Sequence, residues 1–217
     1  QYLSRIPYIS FYKLFGTGSD EGFTFKLNPF TNTGIYAILA VWPNIAVAKE
    51  TIKTASVFRR YTNYSNQHWN IFLDPISVRG AWSGGTPFTA NTTTKAASNG
   101  QIVALTRATI KIQTMLRFWK KVPNVQRMIG SDKNVLFKIG LGEIPWLHQV
   151  TFSVWPNTHT MDTFARKSGP HAEAIQAVRK GNWFSEELYA RFTICGENGN
   201  WKNKHPSITT NNKPEAL

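Results

Sequence analysis

The sequence predicts an α+β fold made of two ferredoxin-like repeats, packed sheet to sheet as a barrel within one chain or across a dimer. Three observations predict it. Trp-Pro-Asn occurs twice, at 42–44 and 155–157, each time after an apolar run of strand length: Ile-Tyr-Ala-Ile-Leu-Ala-Val at 35–41 and Val-Thr-Phe-Ser-Val at 150–154. Each run is preceded by a strand pattern with a glycine turn, Tyr-Lys-Leu-Phe-Gly at 12–16 and Phe-Lys-Ile-Gly-Leu-Gly at 137–142, with Glu21 or Glu143 following. The second half reads β-α-β-β-α-β, the ferredoxin-like order. The first half lacks the opening strand and helix, which are expected upstream of Gln1.

The elements follow in order. Tyr8–Phe15 is a strand entered after Pro7, and 16–32 a turn-rich connection. Ile35–Trp42 is a near-continuous apolar run, the mark of a strand buried on both faces, and Pro43 stops it. Ile45, Ala48, Ile52 and Ala55 recur at helical spacing, so a helix runs from Asn44, a good N-cap, to Arg60. His68–Leu73 is a strand stopped by Asp74-Pro75. Residues 1–82 make the first half. Residues 83–100, small and polar, read as a linker. In the second half, 101–195, Ile102–Ile112, Val135–Leu141, His148–Trp155 and Leu188–Ile194 are strands. Helices are expected over Thr114–Val122, Thr158–Arg166 and from Gly169 to Lys180. Residues 196–217 form a polar tail.

Composition narrows the function classes. An apolar fraction of 41% with 8 Trp and 14 Phe supplies a core, which excludes global disorder. No apolar run approaches the roughly 18–20 residues that span a bilayer, and no signal-peptide pattern is present. The lone Cys195 forbids an internal disulfide and fits a reducing cytoplasm. It reads as a small apolar residue closing the last strand, with a thiolate iron ligand as the sharper alternative. The net charge of +13 attracts nucleic acid, anionic lipid or an acidic protein. Most of it reads as a solvated basic surface, and no nucleic-acid-binding module is recognisable. Gly16-Thr-Gly18 and Gly140-Leu-Gly142 are not followed by the helix a phosphate site requires.

The repeat points to one histidine. Counting fourteen residues from each Trp-Pro-Asn asparagine gives Phe58 in the first copy and His171 in the second. His171 lies on a well-specified helix with Gly169 and Pro170 at its start, Arg179-Lys180 in its last turn and Gly181 as its stop. It shares the apolar face with Ala174, Ile175 and Val178. A core histidine bonded to a backbone carbonyl and an axial ligand for haem iron both suit that place. His148 opens an inward strand beside Trp146, as a satisfied strand-end residue or as an acid or base facing a cavity. No histidine pair has zinc-ligand spacing with a cysteine.

Several blocks, in order, resemble the spheroidene monooxygenase family: Lys13-Leu-Phe-Gly-Thr-Gly-Ser-Asp-Glu-Gly-Phe23, Ser77-Val-Arg-Gly80, Leu105-Thr-Arg-Ala-Thr-Ile110, Arg117-Phe-Trp119, Phe137-Lys-Ile-Gly-Leu-Gly-Glu-Ile-Pro-Trp146, His148-Gln-Val-Thr-Phe-Ser-Val-Trp-Pro156, Gly169-Pro-His-Ala-Glu-Ala-Ile175 and Trp183-Phe-Ser-Glu-Glu-Leu-Tyr-Ala-Arg-Phe192. The resemblance covers roughly residues 8–194 and implies a relative of the dimeric α+β barrel haem proteins. It implies a haem-dependent oxygenase that hydroxylates an acyclic carotenoid at C2, twice, so that a geminal diol loses water to leave a 2-keto group. O2 and a ferredoxin-type electron donor are implied with it. His171 matches the iron-binding position, His148 is a candidate distal acid or base, and Arg107 and Lys138 are candidate partners for haem propionates or else structural charges. The positive charge suits an acidic donor and an anionic inner membrane on the cytoplasmic side, and a homo-oligomer is compatible with the fold. Two other readings stand beside this one: a haem barrel with dehydratase or peroxidase-like chemistry, and a non-catalytic basic module binding nucleic acid or membrane.

Overall fold

In a computed structural model, residues 3–17, 32–91, 100–120, 132–144, 146–166 and 170–202 are described, the side chains of 32–33, 166 and 170–175 excepted. Seven strands make a single sheet: β1 (Phe11–Thr17), β2 (Asn32–Val41), β3 (Trp69–Gly80), β4 (Ile102–Ile110), β5 (Phe137–Ile144), β6 (His148–Trp155) and β7 (Phe184–Gly199). Their order is β2-β1-β5-β6-β4-β7-β3, and every neighbouring pair is antiparallel. The second-half strands β5-β6-β4-β7 occupy the centre, and the first half flanks them, β1 on β5 and β3 on β7. The two repeats are therefore one continuous sheet and not two separable domains.

Alternation along the strands divides the sheet into two faces. Val103 and Leu105 of β4, Val150 and Val154 of β6, Ile139 and Leu141 of β5 and Leu188, Ala190 and Phe192 of β7 make the inner core. Ile35, Ala37, Leu39 and Val41 of β2 pack against that core, as do Ile71 and Leu73 of β3. Strands from both ends of the sheet thus meet on one face, so the sheet curls. Trp69 shows it directly: its ring lies 5.0 Å from Phe137 and 6.4 Å from Phe152, across the interior from its own edge. The outer face carries a second cluster, in which Ile102 and Trp155 pack on Met161 and Phe164 of helix α3 (Thr158–Arg166). Helix α4 (Pro170–Gly181) follows.

The Trp-Pro-Asn stops behave alike in both halves. Asn44 Oδ1 accepts from the Val47 backbone N–H at 2.9 Å, and Asn157 Oδ1 from that of Thr160 at 2.9 Å. The helix expected from Asn44 to Arg60 is two, α1 (Ile45–Thr54) and α2 (Ser56–Tyr64), because Ala55 is extended at φ −71°, ψ 132°. The break lets Phe58 of α2 reach Trp42, 6.2 Å between ring centroids. Residues 112–114 form a 3-10 turn and 115–120 are helical, within the helix expected over Thr114–Val122.

Four expectations are corrected. Strand β3 continues past Asp74-Pro75 to Gly80. Among the described residues β7 is the one strand paired with it, so a proline nitrogen costs no ladder bond to a second strand, and the register shifts between Pro75 and Ser77. The 83–100 linker is not free: Phe88 is buried, stacks edge-on to Phe192 at 5.2 Å and neighbours Trp82. Residues 92–99 of that segment lie outside the described part. The polar tail begins later than 196, because β7 runs to Gly199, and Glu197 accepts from Trp69 Nε1 at 2.9 Å. Cys195, read as buried, is exposed, since the bulge opposite Phe72 and Leu73 leaves it without a partner across the ladder.

Candidate functional site

A charged cluster closes one end of the inner face. Lys13 of β1 donates to Glu143 Oε1, and Glu143 Oε2 accepts from Trp82 Nε1 at 3.2 Å. Lys13 also donates to Ser83 Oγ at 3.0 Å and sits 5.5 Å from the Phe11 ring. Arg107, 2% exposed, is ion-paired with Glu186 and lies 5.7 Å over the Trp82 ring. Glu186 in turn accepts from the backbone N–H groups of Ser83 at 3.0 Å and Gly84 at 2.7 Å. Two cations, two carboxylates and an indole thus bind the 82–84 turn to four strands.

His148 stands beside this cluster, its Nδ1 buried without a hydrogen bond and 3.7 Å from Glu143 Oε2. Burial first, then the Arg107 charge, push its pKa down, outweighing the pull of Glu143. The ring is therefore neutral near pH 7. Burial would raise the Glu143 pKa, but hydrogen bonds from Lys13 and Trp82 outweigh it and hold the carboxyl below its usual value. Glu186 is likewise held low, by Gly84, Ser83 and Arg107 against its burial. The site so pairs an ionised carboxylate with a neutral imidazole, a combination that can hold or pass a proton.

A cavity of about 2060 Å³ adjoins the core. It is lined by apolar and aromatic side chains including Phe15, Phe88, Leu105, Phe137, Ile139 and Phe152, and by polar ones that include Asn70, Asp74, Glu143 and Gln149. His148 does not line it. That residue faces a smaller pocket of about 280 Å³ with Thr109, Lys111 and Ser185, and Glu143, which does line the larger cavity, is 3.7 Å from its Nδ1.

The residues singled out from sequence are only partly brought together. Arg107 and His148 share the charged cluster. Lys138 pairs in register with Ser153 and hence Ala104, on the outer face, whereas Arg107 is on the inner face with Val150. The two residues thus belong to opposite faces of the sheet, and the Arg107 charge is met by Glu186. His171 is on α4, and its side chain lies outside the described part. Among the described residues no three His, Cys, Asp or Glu side chains are grouped to hold a metal ion. Although Cys195 is exposed overall, its thiol is partly shielded from water, and this together with the Asp74 charge pushes its pKa up, away from the thiolate an iron ligand requires. Lys13, Trp82, Glu143 and Glu186 were not singled out, although Lys13 and Glu143 lie in the two repeated strand-turn blocks.

Together the curled antiparallel sheet, its strand order and the helix packed on its outer face define an α+β protein of ferredoxin-like repeats. The chain belongs to the spheroidene monooxygenase family. It is 45% identical over 203 residues to the spheroidene monooxygenase of Cereibacter sphaeroides, covering 93% of this chain and 60% of that protein. With the Rhodobacter capsulatus protein of the same name it shares 42% over 204 residues, 94% of this chain and 83% of the relative. With that of Rubrivivax gelatinosus it shares 32% over 203 residues, 91% and 73%. The chain thus spans three fifths of the first of these and more of the others. No family model matches it. Solved structures of partial likeness include a candidate monooxygenase from Fusobacterium nucleatum (TM-score 0.44, 9% identity, 78% of this chain and 75% of that one) and an anthrone oxidase-like protein (0.37, 7%, 88% and 78%). The fold stands on the strand order itself.

Proposed function

We propose that the protein containing this chain is a monooxygenase that hydroxylates an acyclic carotenoid of the spheroidene type at C2, twice, with loss of water from the geminal diol to leave a 2-keto group. The observation that carries the reading is the 45% identity to a spheroidene monooxygenase across nearly the whole chain. The apolar lining supports it, because a polyene is held by burial, worth roughly 25 cal/mol per Å². Each hydroxylation consumes one O2, two electrons and two protons and releases one water. The electrons are proposed to come from a ferredoxin-type donor, for which the net charge of +13 is favourable.

Haem on His171 is the proposed cofactor and would supply the oxidant that no side chain provides. The chain's own part is to sheath the polyene in aromatic side chains, to exclude water and to keep Glu143 ionised beside neutral His148, where a proton can be taken up at Nδ1. Contact with an anionic membrane, on its cytoplasmic face, is part of the same proposal, since such a substrate resides there. No helix among the described residues is long and apolar enough to cross a membrane.

Two measurements test it. Cells accumulating spheroidene are expected to yield a 2-keto carotenoid only when the gene is expressed, and unchanged extracts refute the substrate. The purified whole protein is expected to show a Soret band that His171→Ala abolishes or shifts. A colourless protein that haemin cannot reconstitute removes the cofactor from the proposal and leaves the substrate to the first test.

A further inference from the structure

We infer that the gap between β2 and β3 is a slot for an eighth strand, supplied by the polypeptide upstream of residue 1. This does not rest on the proposed activity. Among the described residues, β2 and β3 are the two ends of the sheet, and each has one edge along which no strand is paired, although the Asn91 N–H donates to the Pro75 carbonyl of β3 at 2.7 Å. Seven antiparallel strands in a row leave the two end strands running in the same direction, so one more strand is antiparallel to both and closes an all-antiparallel barrel. Eight strands enclose an interior that side chains fill or that holds one small ligand, and the inner-face part of the cavity, lined by Leu105, Ile139 and Phe152, is such an interior.

The second repeat shows the same place filled. There β4, the first strand of its unit, lies between β6 and β7 and pairs with both. Trp155 of β6 corresponds to Trp42 at the end of β2, and Trp183 before β7 to Trp69 of β3. Position for position, the first strand of the first unit falls between β2 and β3. The cavity follows both edges. Every residue from 34 to 42 and from 68 to 75 lines it, although successive residues face opposite sides of a strand. It therefore runs past both edges and is not confined to one face. A strand of about nine residues, the length of β4, would occupy the slot.

The occupant cannot come from the ten residues before Phe11, because a strand with its helical crossover takes roughly 30 residues. The Cereibacter relative is longer than the part this chain covers, which is 60% of it. The crossover helix has a face to cover: Leu14 of β1 is 46% exposed and Tyr36 of β2 66%, both on the side away from the inner core. An unpaired edge is otherwise open to any other chain.

Hydrogen exchange read by mass spectrometry tests this on the 217-residue chain and on the whole protein. Peptides over 34–42 and 68–75 are expected to exchange about 100-fold more slowly in the whole protein, with the central strands unchanged. Equal rates overturn the inference. A 217-residue chain that is dimeric by native mass and already protected there assigns the slot to a second copy and also overturns it. If the 217-residue chain does not fold alone, the structure of the whole protein decides. An upstream strand bonded to both edges supports the slot, and edges left open or joined to each other refute it. None of these readouts needs a carotenoid or catalysis, so the slot and the proposed activity stand or fall separately.

Discussion

Arg107 and Glu186 form an ion pair that links β4 to β7 at the closed end of the inner face, and the same carboxylate holds the backbone of the 83–84 turn. The arginine is 2% exposed, so its charge has no access to water when the partner is removed.

Glu186→Gln is therefore expected to destabilise the protein by about 3 kcal/mol, the cost of stranding a buried charge. Urea denaturation measures it. The double variant Arg107→Met/Glu186→Leu is expected to recover most of the loss, because the desolvation cost leaves with the charge. Equal instability of the single and double variants would argue that the pair is needed for shape and not for charge balance.

Stability is expected to fall on acidification in two stages. The folded-state pKa of His148 is lowered, so below about pH 6.5 the unfolded chain binds a proton that the folded state resists. The folded pKa values of Glu143 and Glu186 are also lowered, so their contribution is present above the ordinary carboxylate value and is lost as pH drops through the folded values. Urea midpoints between pH 8 and pH 3 follow both stages. His148→Gln is expected to flatten the first and leave the second; a variant with the first slope intact would place its origin elsewhere.

Gly80 ends β3 at φ +97°, and a Cβ there would stand 2.1 Å from the Glu187 carbonyl oxygen. Because that oxygen is backbone and accepts from the Ala81 N–H, it has little room to yield. Gly80→Ala is expected to cost about 2–3 kcal/mol from strained backbone alone and more from the contact. A melting temperature equal to that of the parent would contradict it.

The two Trp-Pro-Asn motifs are expected to be energetically equivalent. Asn44→Ala and Asn157→Ala each remove one side-chain cap and are expected to cost about 1 kcal/mol. Losses at one asparagine only would show that the repeat is retained in sequence without being used alike.

Much of this was legible in the chain. The Trp-Pro-Asn stops and the β-α-β-β-α-β order of the second half are local signals, set by alternation, capping and proline, and are found where they put them, whereas the glycines expected to turn the chain, Gly16, Gly140 and Gly142, lie inside β1 and β5. Pro75 misled because its effect depends on whether a second strand lies alongside, which no local pattern records. Phe88, in a segment of small polar residues, looked like linker because a single aromatic does not reveal what it packs against. At the candidate site Arg107 and His148 were noticed, but Glu143 and Glu186 were not, because a carboxylate in sequence carries no mark of the cation it meets some 80 or 130 residues away.

The amino-acid sequence by itself determined the elements, their capping and the family, since these follow from residue order and near-neighbour chemistry. Only the tertiary structure decided that the two repeats share one curled sheet, that Arg107 and Lys138 face opposite sides of it, and that β2 and β3 are its end strands among the described residues. Strand order, sheet face and pairing partner are long-range properties, fixed by which apolar surfaces bury one another once the chain has closed on itself.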